Sequence, residues 1–292
     1  MFDNLVESWA EKLSQFLGFV LNVYNTFAGM AAGMLGQDPA AWNREGWQFI
    51  TNVNTIFLGI GGVLVVIFFL MGFCADSVDI KQDFRLENIL RMFLKLSLAE
   101  FFVINSMTIV QKLFALSTGV IGKIRGSGIV FQYTVPAEVT EILNSPLTND
   151  ISGLGGLVVM ALLFIVTIIF MMVTAGCGMM MLFEAFQRFL KILMLVPYGT
   201  LANSTIAGNH MLSRSAESFW KYALGTILEA VTMYMAMVLS AVVTSSGVVN
   251  LTNGQTGGFY ILGWILQSSF ICMLTLGTVK GSGMITQKAL GL

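Results

Sequence analysis

The segment Gly156–Leu182, GLVVMALLFIVTIIFMMVTAGCGMMML, contains no charged residue and lies in an uncharged run of 33 residues between Asp150 and Glu184. About 20 mostly apolar residues cross a hydrocarbon layer of roughly 30 Å as a helix. A helix is required, because an isolated segment in lipid must satisfy its own backbone groups. The same pattern recurs on both sides. Thirty uncharged residues separate Glu45 from Asp76, and 50 separate Glu229 from Lys280, the latter run divided by the polar stretch Thr244–Thr256 (TSSGVVNLTNGQT). Spans are therefore expected near Asn52–Cys74, Gly156–Leu182, Trp220–Thr244 and Phe259–Val279. A fifth, Lys95–Ile121, is interrupted by Glu100 and Lys112.

Composition supports this reading. Of 292 residues, 56% are hydrophobic and 11% charged, against roughly 25% charged in a soluble domain. The chain has too few charges to coat a soluble core, and too much apolar content, with only four prolines, to be disordered. A net charge of −1 supplies no global basic field for nucleic acid. The expected fold class is an all-α polytopic membrane protein of about five transmembrane helices. An N-terminal amphipathic helix and a broken or re-entrant helix on the cytoplasmic side accompany them.

Basic residues orient the spans. Ten (Lys81, Arg85, Arg91, Lys95; Arg188, Lys191, Arg214, Lys221; Lys280, Lys288) alternate with four (Lys12, Arg44; Lys123, Arg125), and Lys112 lies within a span. Five spans with the N-terminus outside and the C-terminus cytoplasmic satisfy that alternation. Residues 1–51 then form an outer N-terminal region and 52–292 a five-span domain. The latter has an external loop at 122–155 and a cytoplasmic-side segment at 183–219. No basic n-region precedes an apolar stretch at the start, so a cleavable secretory signal is not expected.

From Phe2 to Phe27, apolar residues recur at helical spacing (Leu5, Trp9, Leu13, Phe16, Val20, Tyr24) opposite Asp3, Glu7 and Glu11. This is an amphipathic helix. Two readings suit it: a helix lying in the outer membrane interface, or a docking surface for a neighbouring subunit. The Phe84–Leu98 stretch is amphipathic too and should run into the second span as one helix. Glu184–His210 is largely apolar, and Pro197 within it points to a broken helix.

Chemistry is sparse. Three separated cysteines (Cys74, Cys177, Cys272) form neither a disulfide framework nor a CxxC metal site, and His210 is the only histidine. The motifs of metalloproteases, serine hydrolases and nucleotide-binding loops are missing. No cofactor or metal is expected, and an enzyme is not indicated. Gly59, Gly61, Gly62, Gly176 and Gly178 read as helix-packing positions. The Met171–Met181 run reads as core filling.

Ionisable residues at membrane depth are more informative, since they are costly there and normally face the interior, a partner or water. They are Glu100, Lys112 and Glu229, which together with Lys95 at the inner edge are candidates for a conduit or an inter-subunit contact. Glu184, Arg188 and Lys191 are candidate contacts for a partner at the cytoplasmic face. With Lys95 and Lys221 as inner anchors, Lys112 falls about 6 Å beyond the midplane and Glu229 about 7 Å before it. That offset disfavours a direct pair.

The order of elements resembles a known family: an amphipathic N-terminal helix, a Pro-x-x-Trp-Asn element (Pro39–Asn43), a span, a charged turn into the Phe84–Val110 helix, and a basic break from Arg188 to Pro197 before the last two spans. It resembles the TrbL-type conjugal-transfer membrane proteins of Gram-positive mobile elements, relatives of the polytopic inner-membrane component of type IV secretion systems. The resemblance implies a non-enzymatic structural or channel component of a conduit for single-stranded DNA or protein. It also implies a homo-oligomeric ring in lipid, with further secretion subunits including a cytoplasmic ATPase or coupling protein. The segment Lys123–Asp150 would correspond to the family's external substrate-facing loop. That loop is near-neutral, so a tight electrostatic grip on DNA is not expected from it. A stand-alone secondary transporter or ion channel using the membrane-depth charges is the competing class. The odd span count speaks against it.

Overall fold

A computed structural model describes residues 2–78, 86–128, 132–144, 154–245, 251–252, 254 and 257–291. Among them the protein is built from eight α-helices and no strand: α1 (Phe2–Leu35), α2 (Pro39–Trp42), α3 (Arg44–Val78), α4 (Leu86–Arg125), α5 (Ala137–Asn144), α6 (Leu154–Ser204), α7 (His210–Ser245) and α8 (Gly258–Ala289). Five of them, α3, α4, α6, α7 and α8, are long and apolar enough to cross a membrane.

The Pro-x-x-Trp-Asn element has a local explanation. Asp38 caps α2, accepting from the Ala40 N–H at 3.5 Å, and Pro39 takes the first-turn position, where its missing N–H costs nothing. Asn43 then accepts from the Gly46 N–H at 2.8 Å, capping α3 in turn. As a result α3 starts at Arg44, ahead of the expected boundary at Asn52. From Leu86 onward the Phe84–Leu98 stretch and the second span form the single helix α4, as their shared periodicity predicts, while Phe84 and Arg85 lie outside the described residues. Within the expected loop 122–155, the structure adds a helix, α5.

Pro197 does not end its helix: α6 runs for 51 residues through it. Proline removes one bond, the one its N–H would give to the Leu193 carbonyl, and the Thr200 hydroxyl donates to the Pro197 carbonyl at 2.8 Å. The break expected within Glu184–His210 does fall in that range, but after Pro197. A 3-10 turn, Thr205–Ala207, leads to Gly208 in extended conformation before α7.

The chain forms two compact units. The first comprises Met1–Met34, Lys123–Ala185 and Met233–Ser282. Its core joins Leu13, Leu17 and Val20 of α1, Val139 and Leu143 of α5, Met160, Leu163 and Phe170 of α6, and Ile261, Trp264 and Ile265 of α8. Trp9 stacks edge-on against Phe164, 5.6 Å between ring centres, while a Cβ at Gly178 would lie 3.1 Å from Phe27 Cβ. Helices α1 and α6 therefore run in the same direction. Of the apolar stripe of α1, Leu13, Val20 and Tyr24 are buried within this unit, Phe16 and Phe27 are half-buried, and Trp9 stays exposed. The start of the expected loop is held as well. The Asn25 amide donates to the Tyr133 carbonyl at 2.7 Å and accepts from the Tyr133 N–H at 3.0 Å.

The second unit comprises Leu35–Gly122, Phe186–Thr232 and Gly283–Leu292. Phe57 meets Tyr198, and Gly61 meets the Thr200 carbonyl, so α3 runs parallel to α6. Phe102 and Ser106 meet Asn203 and Gly199, so α4 runs antiparallel to it. The inward face of α4 is a stripe at 3–4-residue intervals: Ala99, Val103, Ser106, Val110, Phe114, Ser117 and Ile121, all buried.

Candidate functional site

The densest polar chemistry lies in the second unit, where α6 and α7 face each other. Arg188 is 5% exposed. Its Nε donates to the Thr226 carbonyl at 2.9 Å and its Nη2 to the Ile227 carbonyl at 2.8 Å. The Ser117 hydroxyl of α4 donates to that same Ile227 carbonyl at 3.1 Å. Helix carbonyls are already engaged within the helix but retain a second lone pair, which the Arg188 and Ser117 donors share at Ile227, so one α7 backbone position gathers two further helices. Charge balance comes from Glu229, which acts electrostatically on the Arg188 guanidinium. Its Oε1 lies 2.6 Å from where a Cβ on residue 283 would stand. Only glycine at 283 lets the carboxylate approach α8 so closely. One turn further on, the Thr232 and Thr286 hydroxyls lie 2.8 Å apart.

A second polar seam joins α4, α6 and α7. Asn203 donates to the Phe102 carbonyl at 3.1 Å and accepts from Trp220 Nε1 at 2.7 Å. The Phe102 carbonyl is the one that Ser106, four residues on, would ordinarily use. Ser106 Oγ is fully buried and has no hydrogen-bond partner among the described residues, and the same is true of Asn54 Oδ1. Asn54 Nδ2 contacts Met107 Sδ at 3.7 Å.

The expected site residues are distributed differently from the sequence reading. Glu229 and Arg188, assigned to separate sets, belong to one cluster. Arg188 is spoken for inside the chain and does not face outward as a partner contact. The cause is its position in the α6 periodicity, one turn from buried Ala185 and Ile192. Lys191 is exposed and Glu184 half-buried. Lys95, Glu100 and Lys112 all lie on the exposed surface of α4, and they are not brought together.

The anchor-based depths are corrected as well. Phe102 stacks near Trp220, ring centres 6.3 Å apart, and Ser117 reaches Ile227. Helices α4 and α7 thus run in the same direction. Lys112 falls between the levels of Trp220 and Ile227, and Glu229 lies farther along than Lys112, the reverse of the expected order. Lys221 stands beside Trp220, at the level of Phe102 rather than of Lys95, so the two anchors do not share a depth. Of the five glycines read as packing positions, Gly61 and Gly178 are closely packed, whereas Gly59, Gly62 and Gly176 face open space.

Sequence reasoning missed Ser106, Ser117, Asn203 and Trp220 because it followed charges. The available signal was a small polar residue recurring on an otherwise apolar stripe, as Ser106 and Ser117 do on α4. The three cysteines are free, Cys74 exposed and Cys177 and Cys272 buried. Among the described residues no three His, Cys, Asp or Glu side chains gather as a metal site would require.

A protein-family model, TrbL/VirB6 plasmid conjugal transfer like protein, matches residues 24–200, from Tyr24 in α1 to Thr200 in α6. No curated protein and no solved structure matches the chain. The match covers more than half of the sequence and takes in α2 to α5 whole. With five helices able to span a membrane and a helical fold around them, the chain belongs to the TrbL/VirB6 family of conjugal-transfer proteins.

Proposed function

We propose that the protein is a membrane-embedded structural or channel component of a conjugative type IV secretion machine, forming part of the conduit for single-stranded DNA or protein across the cytoplasmic membrane. The single observation carrying this is the family match over residues 24–200. The physical character of the chain agrees with it. Several of its buried polar groups are tied to backbone, as in a scaffold, with Arg188 held on two α7 carbonyls and Ser117 on one of them. The N-terminus lies outside and the C-terminus in the cytoplasm, from the ten-to-four alternation of basic residues. The chain works as a homo-oligomeric ring with other secretion subunits, among them a cytoplasmic ATPase or coupling protein, and exposed Lys191 is available to such a partner.

Affinity-tagged chain solubilised from donor cells in mild detergent tests this by native mass spectrometry. The expected result is a homo-oligomer accompanied by secretion subunits. A monomer at every concentration, free of such subunits, would contradict it.

A further inference from the structure

Helix α4 has two faces. The buried stripe from Ala99 to Ile121 is continuous, and directly opposite runs an outward stripe: Leu94, Leu98, Phe101, Thr108, Lys112, Leu116 and Gly119 exposed, with Asn105 half-buried among them. Lys112 follows buried Val110 by two residues, about 200° around the helix. This outward stripe changes character along its length. Its first half presents Leu94 at 62%, Leu98 at 52% and Phe101 at 58% exposure. Its middle is polar, with Asn105, Thr108 and Lys112 on successive turns.

Lipid suits the two ends of the stripe and not its middle. A charge turned toward acyl chains is costly, and Lys112 has no ion pair among the described residues. Glu100, the nearest acid on α4, is twelve residues away and about 120° off this face. The stripe from Leu94 to Gly119 carries no acid at all. In a ring with its symmetry axis along the membrane normal, every copy of a residue lies at one depth. Glu100 of a neighbouring copy therefore stays about 18 Å along the helix from Lys112 and cannot neutralise it. One lysine per subunit becomes a closed circle of cations bordered by amide and hydroxyl groups. Rings of Lys or Arg are the arrangement that anion- and phosphate-conducting pores use.

We infer that the Asn105–Thr108–Lys112 face of α4 lines a water-filled passage and contacts the phosphodiester backbone of an extended single strand of nucleic acid, with Lys112 as the charged contact. This rests on the conduit function proposed above. A lone ammonium per subunit, held as a mobile point charge, attracts phosphate without fixing its geometry. Such weak, repeated contact lets a polymer move past.

The test is photo-crosslinking in donor cells during mating, with the full-length chain carrying a benzophenone amino acid at Thr108, leaving Lys112 intact. Control positions are Val63 and Ile67, exposed apolar residues of α3, and Glu141, exposed on α5. Expected is recovery of transferred DNA from position 108 several-fold above that from 63 and 67, with loss of the excess in Lys112→Met and its retention in Lys112→Arg. Adducts from 108 only to phospholipid or to a second copy of the chain would overturn the inference. So would DNA recovery no higher than at 63 and 67. If 141 captures DNA and 108 does not, the inference falls while the conduit function stands. If no position captures DNA and mating proceeds without the chain, both fall.

Discussion

The Ile227 carbonyl accepts the Arg188 guanidinium at 2.8 Å, across 39 residues of sequence, while Glu229 supplies the opposite charge from the same helix. A buried cation is tolerable only when paired and hydrogen-bonded, and here one helix provides both. The cluster is a structural fastening, and its behaviour under substitution follows from that.

Arg188→Met should destabilise the detergent-solubilised protein by about 3 kcal/mol, because it leaves Glu229 without its counter-charge. The double variant Arg188→Met with Glu229→Gln should regain a substantial part of that loss. Thermal unfolding followed by tryptophan fluorescence reads both. Equal or greater loss in the double variant would show that the two side chains do not act as a pair.

Gly283 offers a sign test. In the native background, alanine at 283 would force Glu229 Oε1 away from a 2.6 Å approach, so Gly283→Ala should be neutral or destabilising. In a Glu229→Ala background the obstruction is gone, and the same change should stabilise by up to about 1 kcal/mol through helix propensity. An identical effect in both backgrounds would contradict the close approach.

Gly176 and Gly178 are two residues apart and should differ. A Cβ at 178 meets Phe27 Cβ at 3.1 Å and the Tyr24 carbonyl at 3.4 Å, while one at 176 meets nothing within 4 Å. Gly178→Val should loosen α1 and expose the chain near Lys12 to trypsin. Gly176→Ala should leave digestion unchanged. Equal protease sensitivity in the two variants would contradict the docking of α1 on α6.

Orientation is open to cysteine labelling in a background with Cys74, Cys177 and Cys272 replaced by alanine. Ser127 and Gln287 are both exposed, whereas Ser282 is fully buried and would stay silent on either side. Ser127→Cys should react with impermeant maleimide in intact cells and Gln287→Cys should not. The opposite pattern would invert the topology.

Much of this architecture is readable from charge spacing. The uncharged runs locate four of the five membrane-capable helices, since nothing else in a chain with 11% charged residues would cluster apolar residues so long, whereas α4 is interrupted by Glu100 and Lys112. Continuity of α4 is readable because its amphipathic start and its span share one period. What spacing cannot supply is facing. Arg188 reads as a basic surface residue until its neighbours Ala185 and Ile192 prove to be core. The depth of Lys112 depended on two anchors that only the contacts of α4 with α7 could align. Helix α5 is eight residues long, too short for periodicity to announce. Pro197 misleads because the lost backbone bond and the ring clash are offset by the packing of a long helix whose Leu193 and Val196 are buried beside it.

The most direct test of a role in conjugal transfer is transfer frequency after in-frame deletion of the coding sequence, made separately in donor and in recipient. Loss of transfer from the deleted donor, restoration by the full chain supplied in trans, and no effect in the recipient are the expected outcome. Transfer from the deleted donor at the wild-type frequency would contradict it.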